Sequence, residues 1–102
     1  MRLLVPGGGG MAARMLGAVA PWRGHEAILV PHAEWDIADP SAAERMLKRH
    51  HPDAVVNCAG FTNVDLCETE RTTAWRANAE GPGVLALASA SAGIPFLHLS
   101  TD

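Results

Sequence analysis

The sequence has little of what membrane and secreted proteins need. It contains two cysteines, Cys58 and Cys67, which form no CxxC pair and have no histidine at metal-ligand spacing, so neither a disulfide scaffold nor a metal site is indicated. No stretch approaches the roughly 18 uncharged apolar residues of a membrane-spanning helix. The N-terminus lacks a cationic region followed by an apolar core and a cleavage site. We therefore expect a cytoplasmic protein with reduced cysteines.

Long runs of one charge are also lacking. The chain of 102 residues carries 8 basic and 11 acidic residues, for a net charge of −3. The longest basic run, residues 48–51, falls where a helix should end, and the helix dipole accounts for cations there. We therefore expect neither nucleic acid nor a membrane surface as a partner. The length suits one domain, residues 1–102, with a core of its own.

A run of four glycines, residues 7–10, stands between two patterned segments. The apolar residues 3–5 before it indicate a buried strand, and Met11, Met15 and Val19 after it have helical spacing. A strand that turns into a helix on bare backbone lets a dinucleotide pyrophosphate approach the first N–H groups of the helix. The glycine run therefore predicts a phosphate-binding turn.

The glycine run has two other interpretations. A nucleoside-triphosphatase loop needs Lys and then Ser or Thr after the last glycine, and Met11 and Ala12 stand there instead. A flexible turn without a ligand stays open as an alternative. The spacing of Gly7, Gly10 and Ala13 between a strand and a helix favours the dinucleotide site.

The remaining pattern alternates strands and helices. Strands are predicted at residues 3–5, 27–30, 53–59 and 94–99, with helices between them. Asp39 and Pro40 supply an N-cap and a first helical residue for the second helix. The apolar centre of residues 53–59 is typical of an interior strand. The alternation predicts an α/β fold with a doubly wound, Rossmann-like parallel sheet in the strand order 3-2-1-4.

Five blocks of the sequence, in this order, resemble the dTDP-4-dehydrorhamnose reductase family. They are Gly7-x-x-Gly10-x-x-Ala13, Asp36-Ile37-x-Asp39-Pro40, residues 52–65, residues 78–82 and Ser100-Thr101-Asp102. These enzymes are extended short-chain dehydrogenases that reduce the 4-keto group of a deoxysugar nucleotide with a nicotinamide cofactor. The resemblance covers only the N-terminal, dinucleotide-binding part of such an enzyme.

The resemblance implies a role for particular residues. The cofactor-binding positions it implies are Gly7, Gly10, Met11, Asp36, Ile37, Cys58, Ala59 and Gly60. Among them the glycines would hold the pyrophosphate, Asp36 and Ile37 would lie along the adenine, and Ala59 and Gly60 would lie under the adenosine and nicotinamide side. Thr62 and Val64 would face the dTDP-sugar substrate. Thr101 resembles the catalytic threonine that hydrogen-bonds the keto oxygen.

The chain departs from the family pattern in three ways. The family's catalytic tyrosine, with a lysine four residues later, cannot be formed, because the chain has no tyrosine and its single lysine is Lys48. A non-catalytic dinucleotide-binding or regulatory subunit is therefore the alternative function. Pro6 replaces the family's usual threonine. Residues 30–32 offer neither an acid for a ribose hydroxyl nor an Arg for a 2′-phosphate, and we favour NADP slightly over NAD.

The apolar edge strand at residues 94–99 also suggests self-association.

Overall fold

The computed structural model describes residues 1–59 and 80–99. The elements in chain order are β1 (Arg2–Pro6), α1 (Met11–Val19), a short 3-10 helix (Ala20–Arg23), β2 (Glu26–Val30), α2 (Pro40–His50), β3 (Ala54–Asn57), α3 (Gly81–Ala92) and β4 (Phe96–His98). The predictions for Gly60, Thr62, Val64 and Thr101 lie outside the described residues. Among the helices that are described, none is long and apolar enough to cross a membrane.

The four strands form one parallel sheet, which confirms the predicted α/β class. Their order is β2-β1-β3-β4. This order corrects the predicted 3-2-1-4, because the third strand lies beside β1 and not beside β2. In the predicted order that strand would have formed an edge of the sheet. All four residues of β3 are buried, so it takes an interior position with a partner on each side.

Helices cover both faces of the sheet. Because side chains alternate along a strand, Leu4 and Val55 point to one face and pack in the cluster that includes α2 and α3. Val5 and Val56 point to the other face, where they pack with Ala13 of α1. The doubly wound arrangement follows from this division, since the crossover through α1 and the crossover through α2 run in opposite directions across the sheet.

The helix termini follow local signals in the sequence. Asp39 caps α2, its Oδ1 accepting a hydrogen bond of 2.9 Å from the Ser41 N–H, and Pro40 stands in the first turn as predicted. Gly93, with φ of 72°, ends α3 in the left-handed conformation. By contrast, α1 begins after Gly10 without any side-chain cap. Its cap residue is a glycine, so the cap position offers no side-chain acceptor to the first N–H groups of the helix.

Candidate functional site

The glycine run forms a closed turn at the carboxyl edge of the sheet. The N–H of Gly10 donates to the carbonyl of Gly7 at 3.1 Å, and the N–H of Gly8 donates to the carbonyl of Val30 at 2.9 Å. Gly7 has a φ of +77°, a conformation that L side chains rarely adopt. The turn is thereby tied to the end of β2, and its shape requires glycine at its first position.

Two of the glycines are required by the packing of the protein itself. A Cβ added to Gly7 would lie 2.4 Å from the backbone N of Ala59, and one added to Gly8 would lie 2.7 Å from the backbone N of Val30. Both obstacles are backbone atoms, which cannot move without shifting a strand end. The turn is therefore wedged between the ends of β3 and β2.

The other two glycines are not crowded by the described part of the chain. Among the described residues, a Cβ on Gly9 would meet nothing within 4 Å, and a Cβ on Gly10 would lie at an ordinary 3.4 Å from the Gly7 carbonyl oxygen. Gly10 has a φ of −83°, which any residue can adopt. The fold therefore does not require glycine at either position. Because Gly9 and Gly10 have no side chains, an anion can approach the uncapped start of α1. The N–H groups and the dipole of the helix favour an anion at that end.

The residues at the start of α1 divide between the surface and the core. Met11 is the first residue of the helix and its side chain is 73% exposed. Ala13 is fully buried and packs against Val5 and Val56. A small residue at position 13 thus lets α1 lie close to the sheet, and Met11 lies at the rim of the space in front of the helix.

The turn after β3 forms the second wall. The Cys58 N–H donates to the Pro6 carbonyl at 3.1 Å, and the Ala59 N–H donates to Asn57 Oδ1 at 2.9 Å. Cys58 is half-buried in the cluster around Val5, and burial raises the pKa of its thiol. Cys58 and Ala59, both predicted as cofactor-binding residues, therefore stand beside the glycine turn.

The turn after β2 brings the other predicted pair to the same edge of the sheet. Asp36 is exposed, and its Oδ1 accepts a hydrogen bond of 3.1 Å from the Ala38 N–H. The side chain of Ile37 is only 2% exposed and lies in the cluster against which Ala59 packs. Since the Ile37 side chain belongs to the core, a ligand at this position would meet its backbone.

Sequence reasoning missed the pair formed by Asn57 and His98. The Asn57 side chain is completely buried, and its Nδ2 lies 2.9 Å from Nδ1 of His98 on β4. A polar residue at the end of an otherwise apolar strand was the available signal. Among residues 1–59 and 80–99, no three His, Cys, Asp or Glu side chains are grouped to hold a metal ion.

Fold and site together define a class of protein. The chain runs from β1 to β2 on one side and returns to β3 on the other, so the crevice between the ends of β1 and β3 is the switch point of the sheet. Ligands of doubly wound sheets bind in that crevice, and here the glycine turn and Ala59 flank it. The arrangement is that of a doubly wound, dinucleotide-binding type of α/β protein.

The family follows from comparison with known proteins. A family model described as the RmlD substrate binding domain matches residues 1–102, and the chain belongs to this family. The dTDP-4-dehydrorhamnose reductase of Mycobacterium tuberculosis is 42% identical over 101 residues, covering 99% of this chain and 33% of that protein. The enzyme of the same name from Streptomyces griseus is 40% identical, with 99% and 33% covered. The chain spans about a third of the length of these curated relatives.

Solved structures show the same fold. A dTDP-4-dehydrorhamnose reductase from Clostridium acetobutylicum superposes with a TM-score of 0.85 at 31% identity, covering 94% of this chain and 34% of that one. The enzyme of that name from Bacillus anthracis, solved in complex with NADP, gives a TM-score of 0.84 at 25% identity, with 93% and 34% covered. The Rossmann-like fold is thus shared with sugar-nucleotide reductases.

Proposed function

We propose that this chain is the nicotinamide-dinucleotide-binding part of an oxidoreductase similar to dTDP-4-dehydrorhamnose reductase, which reduces the 4-keto group of a deoxysugar nucleotide. The observation that carries the proposal is the uncapped start of α1 behind the bare backbone of Gly9 and Gly10, at the switch point of the sheet. Membership of the family supports the same assignment.

Different residues of the site bind different parts of the cofactor. The N–H group of Met11 binds the pyrophosphate next to the bare backbone of Gly9 and Gly10, because it lies at the positive end of the α1 dipole and the helix has no side-chain cap. Asp36 and the backbone of Ile37 lie along the adenine. Cys58, Ala59 and Gly60 lie under the adenosine and nicotinamide side. When bound, the cofactor supplies the hydride.

NADP is favoured over NAD. The end of β2 and the residues after it, Val30, Pro31 and His32, offer no carboxylate for a ribose 2′-hydroxyl. A carboxylate in that place would repel a 2′-phosphate, and its absence leaves a phosphate unopposed. The relative from Bacillus anthracis that was solved with NADP supports the same preference.

Substrate and chemistry are assigned by the resemblance. Thr62 and Val64 face the sugar nucleotide, and Thr101 hydrogen-bonds the keto oxygen. The family's tyrosine has no counterpart among these 102 residues, which contain none. We therefore expect no turnover from these residues alone, and the same observation supports the second candidate, a non-catalytic dinucleotide-binding subunit. A cytoplasmic location and the absence of nucleic-acid and membrane partners stay predictions.

Calorimetric titration of the folded chain with NADPH and with NADH tests the binding half of the proposal. We expect saturable binding of a single dinucleotide, tighter for NADPH. Absence of heat from both cofactors at millimolar concentration, from a chain with a cooperative unfolding transition, would overturn it.

The catalytic half is tested with dTDP-4-dehydrorhamnose and NADPH, by following the absorbance of the reduced nicotinamide. The 102 residues should give no oxidation above the rate without protein. Oxidation by these residues that depends on the sugar nucleotide would show that another group replaces the tyrosine, and would remove the argument for a non-catalytic subunit.

A further inference from the structure

Asn57 and His98 form a partly buried side-chain hydrogen bond to which the proposed cofactor contacts assign no role. The two residues end β3 and β4 and are partners in the register of the sheet. Asn57 is fully buried, and its Nδ2 lies 2.9 Å from His98 Nδ1. The amide of Asn57 is buried among apolar strands and His98 is half-buried, so the donors and acceptors of the amide must be matched inside the protein. The pair therefore fixes how each side chain is oriented.

The orientation of Asn57 determines the tautomer of His98. Asn57 Oδ1 accepts the hydrogen bond from the Ala59 N–H at 2.9 Å. If the amide were turned over, its NH₂ group would face the Ala59 N–H and two donors would meet. Nδ2 therefore faces His98, and because an NH₂ group only donates, His98 Nδ1 must carry the lone pair. The neutral ring then holds its proton on Nε2.

The pair also bears on the glycine turn. Ala59, which Asn57 holds through its N–H, is the residue pressed against Gly7, where an added Cβ would lie 2.4 Å from the Ala59 N. A shift of Ala59 would therefore open or close the seam between the turns after β1 and β3. His98, Asn57, Ala59 and Gly7 form one continuous line of contacts from β4 to the glycine turn.

We propose that His98, as the Nε2–H tautomer, is a positioning residue that acts through Asn57 to hold Ala59 against Gly7, and so shapes the dinucleotide site. The effect on cofactor affinity rests on the proposed function. The tautomer and the restraint on Ala59 do not. The role is one of geometry, since His98 itself contacts Asn57 and not the glycine turn.

Two substitutions separate the hydrogen bond from the packing of the ring. His98→Phe keeps an aromatic ring where His98 stacks on Phe96, with ring centroids 6.5 Å apart, but removes the acceptor. His98→Asn removes the ring but places Oδ1 on Cγ, the position that Nδ1 occupies in histidine, and so restores an acceptor. If the ring had only a packing role, His98→Phe would preserve the properties of the parent better than His98→Asn. We expect the reverse, because only His98→Asn restores the acceptor for Asn57.

Three measurements follow. Long-range proton–nitrogen NMR at a pH where the ring is neutral reads the tautomer of His98, identified as the signal missing from His98→Asn. Amide hydrogen exchange reads the restraint on Ala59, and should be roughly tenfold faster in His98→Phe and within about twofold of the parent in His98→Asn. Calorimetry with NADPH should show a dissociation constant raised about 5- to 10-fold in His98→Phe and about unchanged in His98→Asn.

A result contrary to any of these expectations overturns one part of the proposal for His98. An Nδ1–H tautomer in the parent overturns the hydrogen-bond assignment without any variant having to fold. Unchanged exchange at Ala59 in His98→Phe, or equal impairment in His98→Asn, overturns the positioning role. Altered exchange with unaltered NADPH affinity overturns the link to the cofactor. If the parent binds no dinucleotide, the proposed function fails, while the tautomer and exchange measurements still decide the rest.

Discussion

Replacing Gly7 with alanine should destabilise the protein more than any other single methyl group added to the glycine run. Gly7 has a φ of +77°, where an L residue loses about 1 to 2 kcal/mol. The added Cβ would also lie 2.4 Å from Ala59 N and 2.6 Å from the Cys58 carbonyl carbon, so the end of β3 must move. Forcing an extra methyl group into a packed region, with the backbone shift it requires, costs about 1 to 3 kcal/mol. We expect the free energy of unfolding to fall by about 2 to 5 kcal/mol.

Urea denaturation measures this loss, with fluorescence as the signal. Trp35 is 2% exposed and reports on the core, whereas Trp22 is 89% exposed and should change little. Gly9→Ala is the matched control, because its Cβ meets none of the residues that the structure describes within 4 Å and its φ is not positive. The control should stay within about 0.5 kcal/mol of the parent. A Gly7→Ala protein as stable as Gly9→Ala would refute the wedged turn.

The other predictions concern the cofactor, a cap, a thiol and association. Gly10→Val should leave the fold intact but lower NADPH affinity at least ~10-fold, about 1.4 kcal/mol, and equal binding would exclude the turn as the phosphate site. Asp39→Ala should lower the free energy of unfolding by about 1 kcal/mol, measured in urea, because α2 loses its cap. Cys58 should react with iodoacetamide more slowly than free cysteine at neutral pH, since its raised pKa leaves less thiolate, and the rate should rise only under alkaline conditions. Cys67→Ser gives the single-thiol protein for that assay, and a neutral-pH rate equal to that of free cysteine would contradict it. Light scattering should show self-association at micromolar concentration through residues 94–99, and a monomer there would exclude it.

The features that the sequence predicted are those set by local chemistry. The glycine turn, the Asp39 cap and the interior character of β3 each depend on a few neighbouring residues and their backbone preferences. The requirement for glycine at Gly8, where a Cβ would clash with the backbone of Val30, was not predicted, because Val30 lies 22 positions later in the chain (30 − 8).

The features that the sequence did not predict depend on distant partners. Strand order depends on which edge of the sheet each strand joins. The sequence of β3 does not indicate whether β1 or β2 is its neighbour, because both are similar apolar strands. The bond between Asn57 and His98 joins residues 41 positions apart and exists only in the parallel register of β3 and β4. The interior character that the sequence itself indicated for β3 was inconsistent with the edge position that the predicted order gave it.

The central proposal for this protein is that the glycine turn and the start of α1 bind the dinucleotide. Amide NMR during titration with NADPH tests it directly. The N–H signals of Gly9, Gly10 and Met11 should shift and saturate together, because their N–H groups lie where the pyrophosphate is proposed to bind. Saturable NADPH binding that leaves these three signals unmoved would contradict the claim.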